Sequence, residues 1–124
     1  MSAKTPEEID RLFIQAFSAH DLEALVALYE PDAVLVPQHG QTVTGRDAIR
    51  EALRGFLTLC GEFHSEVKSV IQADDLALVR ADWSLVGSAP GGCPIDLSGC
   101  GVAVARRQPD GNWLYIIDNP FCGN

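Results

Sequence analysis

The sequence is short of positive charge. Nine Lys and Arg stand against seventeen Asp and Glu in 124 residues, for a formal net charge of −8. A surface this acidic repels phosphate backbones and anionic lipid. Arg106-Arg107 is the one adjacent basic pair, and one pair makes no basic patch. Nucleic acid and membrane surfaces are therefore not expected partners. No run of 18 apolar residues is present to form a membrane-spanning helix. Met1 to Glu8 lack the apolar stretch of a signal peptide, so a cytoplasmic location is expected. The four cysteines, at 60, 93, 100 and 122, include no C-x-x-C pair, which argues against a zinc or redox motif. Buried, reduced thiols are expected, with a Cys93–Cys100 bridge across a hairpin as the alternative. Gly91-Gly92 follows no helix and lies in a Pro-flanked turn, so it is no phosphate cradle. No nucleophile–His–acid arrangement is visible in the spacing. The three histidines are too dispersed to nominate a metal site, and no cofactor is expected.

What is present is a normal globular balance, 47 % hydrophobic and 21 % charged, over a length that suits a single domain spanning 1–124. Thr5-Pro6-Glu7-Glu8 carries the marks of a helix start: a capping residue, a first-turn proline and a capping-box glutamate. Ile9, Leu12, Phe13, Ala16 and Phe17 then recur at helical spacing. His20 suits the helix C-terminus, and Asp21 can cap a second helix over 22–28, stopped by Pro31. Residues 33–36 read as a strand and 42–44 as its return across a turn that holds His39. A third helix follows Gly45-Arg46-Asp47. From Glu62 onward the period is two, with strands near 63–71, 76–87, 98–107 and 112–118 and a long hairpin loop over 88–97. The order predicts an α+β protein whose successive hairpins form a mostly antiparallel sheet with helices on one face.

Several segments in this order carry a resemblance. They are His20-Asp21-Leu22-Glu23-Ala24-Leu25-Val26-Ala27-Leu28-Tyr29, Pro31-Asp32-Ala33-Val34-Leu35-Val36, Gly45-Arg46-Asp47-Ala48-Ile49-Arg50, Leu76-Ala77-Leu78-Val79-Arg80-Ala81-Asp82-Trp83, and a last strand ending Ile117-Asp118-Asn119-Pro120-Phe121. Over nearly its whole length the chain resembles the nuclear transport factor 2-like superfamily, which includes ketosteroid isomerases and SnoaL-like cyclases. The resemblance implies a cone-shaped, cystatin-like α+β barrel, a strongly curved sheet wrapped around N-terminal helices. It also implies an apolar pocket between sheet and helices and, frequently, a homodimer formed through the sheet.

The isomerases of that superfamily use a carboxylate base with a tyrosine and a protonated aspartic acid that hold the enolate oxygen. Aligned along the chain, the base position falls on Pro37, the tyrosine position on Phe13 and the aspartic acid position on Ala103. None of the three can do that work, so steroid isomerisation by this machinery is not expected.

The alignment also assigns strand faces. Leu114, Ile116 and Asp118 would face the pocket from the last strand, and Leu76, Leu78, Arg80, Asp82 and Ser84 from the strand at 76–87. That arrangement makes a buried Arg80–Asp82–Asp118 cluster, either an acid–base site or a salt bridge anchoring two strands. Asp118 and Asp82 are thus the candidate catalytic acids. His39 at the pocket mouth is a candidate proton carrier or an incidental loop residue. Arg80, Phe13, Ile116 and Leu114 are candidate ligand contacts. His64 reads as solvent-facing. Trp83, Trp113 and Tyr115 would share the opposite sheet face with Val79, Val102 and Val104, covered by a second subunit. A register shifted by one would turn Trp83 into the pocket and the charges outward, so Trp83 is also a candidate ligand contact. The expected ligand is a small apolar molecule with a carbonyl or hydroxyl group, acted on by acid–base chemistry of the isomerase, cyclase or lyase kind. The alternative is a non-catalytic binding or interaction module.

Overall fold

A computed structural model describes residues 3–38 and 40–121; His39 and Cys122 lie outside them. Three helices, α1 (Pro6–Ser18), α2 (Leu22–Val26) and α3 (Arg46–Phe56), pack on six strands. The strands are β1 (Tyr29–Gln38), β2 (Gln41–Thr44), β3 (Cys60–Ala73), β4 (Leu76–Ser88), β5 (Pro94–Arg107) and β6 (Trp113–Asn119). They form one sheet in the order β2-β1-β6-β5-β4-β3. The β1–β6 pair is parallel and the others antiparallel. This is the mostly antiparallel sheet with helices on one face that the element order predicts, in the cone-like form that the resemblance implies.

Local chemistry accounts for the helices. Pro6 occupies the first turn of α1, although Thr5 makes no side-chain cap. Asp21 caps α2 by accepting from the Ala24 N–H at 3.1 Å. His20 ends α1 in the left-handed region, at φ 53°, with its ring on Phe17. The apolar stripe of α1 (Ile9, Leu12, Ala16, Phe17) and Ile49 and Leu53 of α3 are buried in the core.

The inner face of the sheet is read from its pairings. Val79 pairs with Ala103, Ala81 with Gly101 and Trp83 with Gly99, all inward. The inner face of β5 is thus Gly99, Gly101, Ala103 and Ala105. Such small side chains cannot fill the space beneath the helices, and a hollow results.

The predicted faces need correction on two strands. On β4 the buried set is Ala77, Val79 and Leu85, whereas Leu76, Leu78, Arg80 and Asp82 are exposed. A one-residue offset exchanges every side chain of a strand between faces. On β6 the predicted set of Leu114, Ile116 and Asp118 fails because the strand is bulged. Val104 pairs with Ile117 but Ala105 with Tyr115, leaving Ile116 as the extra residue. Trp113, Tyr115 and Asp118 therefore all point inward. The Arg80–Asp82–Asp118 cluster does not form. Arg80 and Asp82 instead lie outside near Lys68, where water meets the cost of their charge.

The strands are also longer than their apolar stretches suggest, and the expected 88–97 loop shrinks because β4 runs to Ser88 and β5 starts at Pro94. Cys60 and Cys93 are exposed free thiols, so the Cys93–Cys100 bridge is not made. Among the described residues no helix is long and apolar enough to cross a membrane.

Candidate functional site

The hollow between α1, α3 and the sheet is a cavity of about 140 Å³. Aromatic rings make much of its wall: Phe13 from α1, Phe56 from α3, Phe63 from β3 and Trp83 from β4. The Phe13 and Phe63 ring centres are 5.6 Å apart, and those of Phe63 and Trp83 are 6.2 Å apart. Trp83 is held in place by its indole N–H, which donates to the Pro120 carbonyl at 2.7 Å.

Five polar side chains enter this apolar wall: Asp10, Tyr29, Ser65, Tyr115 and Asp118. The Tyr29 hydroxyl donates to Asp118 Oδ2 at 2.6 Å. Burial pushes the Asp118 carboxyl up to about 6. The Tyr29 bond opposes that rise and the charge of Asp10 adds to it. The Ser65 hydroxyl donates to Asp10 Oδ1 at 2.8 Å. Asp10 is likewise raised by burial, with the Ser65 bond working against it. Both tyrosines are raised well above the ordinary phenol range, first by burial and then by Asp118. Both therefore stay protonated, and Tyr29 serves as a donor. Their rings pack at 5.3 Å between centres.

Backbone pairing builds this group. Leu35 of β1 pairs with Asp118 and Tyr29 with Tyr115 through the parallel β1–β6 ladder. The bulge at Ile116 sets Tyr115 and Asp118, three residues apart, on one face. Asp10 joins them from α1, one turn before Phe13 and two before Phe17.

Of the candidate residues, Asp118, Trp83 and Phe13 line the cavity, while Arg80, Asp82, Leu114 and Ile116 do not. His64 is exposed and lies 3.3 Å from Glu62. Sequence reasoning missed Asp10, Tyr29, Ser65 and Tyr115. The alternation Val79-Arg80-Ala81-Asp82-Trp83-Ser84-Leu85 held the signal for β4, since its apolar members are the inward ones. The i, i+3, i+7 spacing of Asp10, Phe13 and Phe17 held the signal for Asp10. Pro37, Phe13 and Ala103 all line the cavity, so the isomerase positions are present as sites but apolar in content. Among the described residues no group of three His, Cys, Asp or Glu could hold a metal ion.

A curved sheet closed by helices over a mixed apolar and acidic cavity defines the nuclear transport factor 2-like class. Within it, residues 10–115 match the SnoaL-like domain, and the chain belongs to that family. Among solved structures, a ketosteroid isomerase-like protein from Erwinia carotovora atroseptica is similar at a TM-score of 0.80 and 24 % identity, over 90 % of this chain and 88 % of that one. A conserved protein from Planctomyces limnophilus is similar at 0.79 and 15 %, over 90 % and 88 % of the two chains. A nuclear transport factor 2-like superfamily protein from Salmonella enterica is similar at 0.76 and 13 %, over 90 % and 84 %. These identities speak for the fold alone. No curated protein matches the chain.

Proposed function

We propose that the cavity binds a small apolar molecule bearing a carbonyl or hydroxyl group, and that Asp118 moves a proton on it. The observation that carries this reading is the Tyr29–Asp118 pair facing an aromatic cavity, with the carboxyl raised to about 6. A carboxyl in that range exchanges protons readily near neutral pH. In an enolisation, Asp118 would take the proton from the carbon beside a carbonyl, and the C–H electron pair would pass into the enolate. The Tyr115 hydroxyl, protonated and lining the cavity, is available to donate to the enolate oxygen. Returning the proton to another carbon or expelling a leaving group would complete an isomerase- or lyase-type turnover. The size of the cavity limits the ligand: about 150 Å³ holds one benzene ring, so the enclosed part suits a single six-membered ring.

The test uses cyclohexanone in deuterated buffer, with deuterium uptake at the α-carbon followed by NMR. The protein should speed exchange, and Asp118→Asn should lower that rate by about 100-fold or more. Binding without any exchange would favour the non-catalytic binding module.

We also propose a homodimer through the outer sheet face. The rationale is a row of apolar residues paired across five strands, Ile71–Leu78–Val104–Ile117–Val34. Ile71 is 65 % exposed, Leu78 41 % and Ile117 44 %. The same face carries Arg80 and Lys68 beside Asp82 and Glu66, both signs that a two-fold partner can match. Trp83, Trp113 and Tyr115, the residues expected to form this interface, face inward and take no part in it. A cytoplasmic setting, where thiols stay reduced, suits the exposed Cys60 and Cys93.

A further inference from the structure

The cavity has an unbalanced charge. Two carboxylates, Asp10 from α1 and Asp118 from β6, line it, and among the described residues no Lys, Arg or His does. Each carboxylate has one neutral hydroxyl donor, Ser65 or Tyr29, and neither has a cation. Tyr115, only 6 % exposed, lines the same space and its hydroxyl has no hydrogen-bond partner among the described residues. The remaining wall is rich in aromatic rings, with Phe13, Phe56, Phe63 and Trp83 adjoining one another. Aromatic faces and carboxylates share one electrostatic preference, because both attract positive charge. An anionic ligand would meet two like charges in a poorly solvated space and would find no counter-ion.

We propose that the ligand of this cavity is a small organic cation, an amine or quaternary ammonium carried on a single apolar ring. The proposal rests on the ligand-pocket reading above and names the chemical class of what enters. The ammonium group is placed between Asp10 and Asp118 and against the aromatic wall, while the unpartnered Tyr115 hydroxyl is left for a carbonyl or hydroxyl oxygen of the same molecule. The titratable groups facing that position are Asp10 from α1, Tyr29 from β1 and Tyr115 and Asp118 from β6. Among the described lining residues α3, β3, β4 and β5 contribute none. The cation and the proton thus compete for the same carboxylates. Affinity for a permanent cation rises with pH as Asp118 loses its proton near 6.

The experiment compares four probes of similar shape, benzylamine, benzyltrimethylammonium, benzyl alcohol and benzoate, by isothermal calorimetry at pH 7.5 and pH 5. Trp83 fluorescence reports occupancy of the cavity. At pH 7.5 benzylamine should bind about tenfold tighter than benzyl alcohol, and benzoate most weakly. At pH 5 the advantage of both cations should shrink several-fold, while benzyl alcohol changes little. Asp10→Asn should cut the preference for benzylamine over benzyl alcohol, and circular dichroism would verify that this variant folds. Equal affinity for benzylamine and benzyl alcohol, or tighter binding of benzoate, overturns the cation proposal and leaves the ligand pocket standing. Failure of all four probes to bind overturns both.

Discussion

Tyr29 and Asp118 stand 89 positions apart in the chain, yet the phenol hydroxyl of one donates to the carboxylate of the other at 2.6 Å. The contact depends on the parallel β1–β6 ladder and on the bulge at Ile116. It holds a carboxyl that burial raises to about 6 in a cavity whose wall is mostly apolar.

Asp118 binds its proton more tightly in the folded protein than in the unfolded chain. Between the ordinary value of 3.8 and about 6 the folded form holds more protons, so stability falls as pH rises through that window. Above it the full cost of the buried charge is present, of order 1–3 kcal/mol. Asp118→Asn keeps an acceptor for Tyr29 and removes the ionisation. The variant should be more stable than the parent at pH 8 by about that amount, and the gain should vanish near pH 4. Urea unfolding at the two pH values checks this. A variant less stable than the parent at both would count against the buried charge.

Two neighbours pull the Asp118 titration in opposite directions. The Tyr29 bond favours the carboxylate and the Asp10 charge disfavours it. Tyr29→Phe should therefore move the titration above about 6, and Asp10→Asn should move it below. Carbon-13 NMR of the carboxyl resonance reads both shifts. The same sign for the two variants would contradict the geometry.

Ala103 lines the cavity from β5. Ala103→Leu adds three carbons to a space of about 140 Å³ and should abolish benzyl alcohol binding while changing stability by less than about 1–2 kcal/mol. Unimpaired binding would place the ligand elsewhere.

Gly61 and Gly87 face one another across β3 and β4. A Cβ on Gly87 would lie 1.9 Å from the Cys60 carbonyl oxygen and 2.5 Å from Gly61 Cα, and backbone on both sides leaves no room for relief. Gly87→Ala should cost about 1–3 kcal/mol in denaturant unfolding. A neutral result would mean that the strands separate easily at this end.

Leu78 and Ile117 lie in the apolar row on the outer face. Under the dimer proposal the parent sediments as a dimer at micromolar concentration, and Leu78→Glu with Ile117→Lys sediments as a monomer. A monomeric parent would sink the proposal directly.

How much of this was legible before folding differed from element to element. The helices came from local signals: Pro6 in the first turn, the Asp21 cap, and the 3.6-residue stripe of Ile9, Leu12, Ala16 and Phe17. Those signals act within a few residues, so a linear reading can find them. The strand order of β3 to β6 was legible for the same reason, because hairpins join neighbours. The apolar substitutions at Phe13, Pro37 and Ala103 were legible too, and all three positions do line the cavity.

Linear pattern is thus enough for the elements, their order and the family resemblance, along with the absence of the isomerase trio at its aligned positions. Which polar groups share the cavity depends on how the strands pair. A strand turns over with every residue, so one bulge at Ile116 brings Tyr115 and Asp118 together, and a one-residue offset sends Arg80 and Asp82 to the outside. The parallel ladder that carries Tyr29 to Asp118 joins strands from opposite ends of the chain, and no local pattern encodes that meeting.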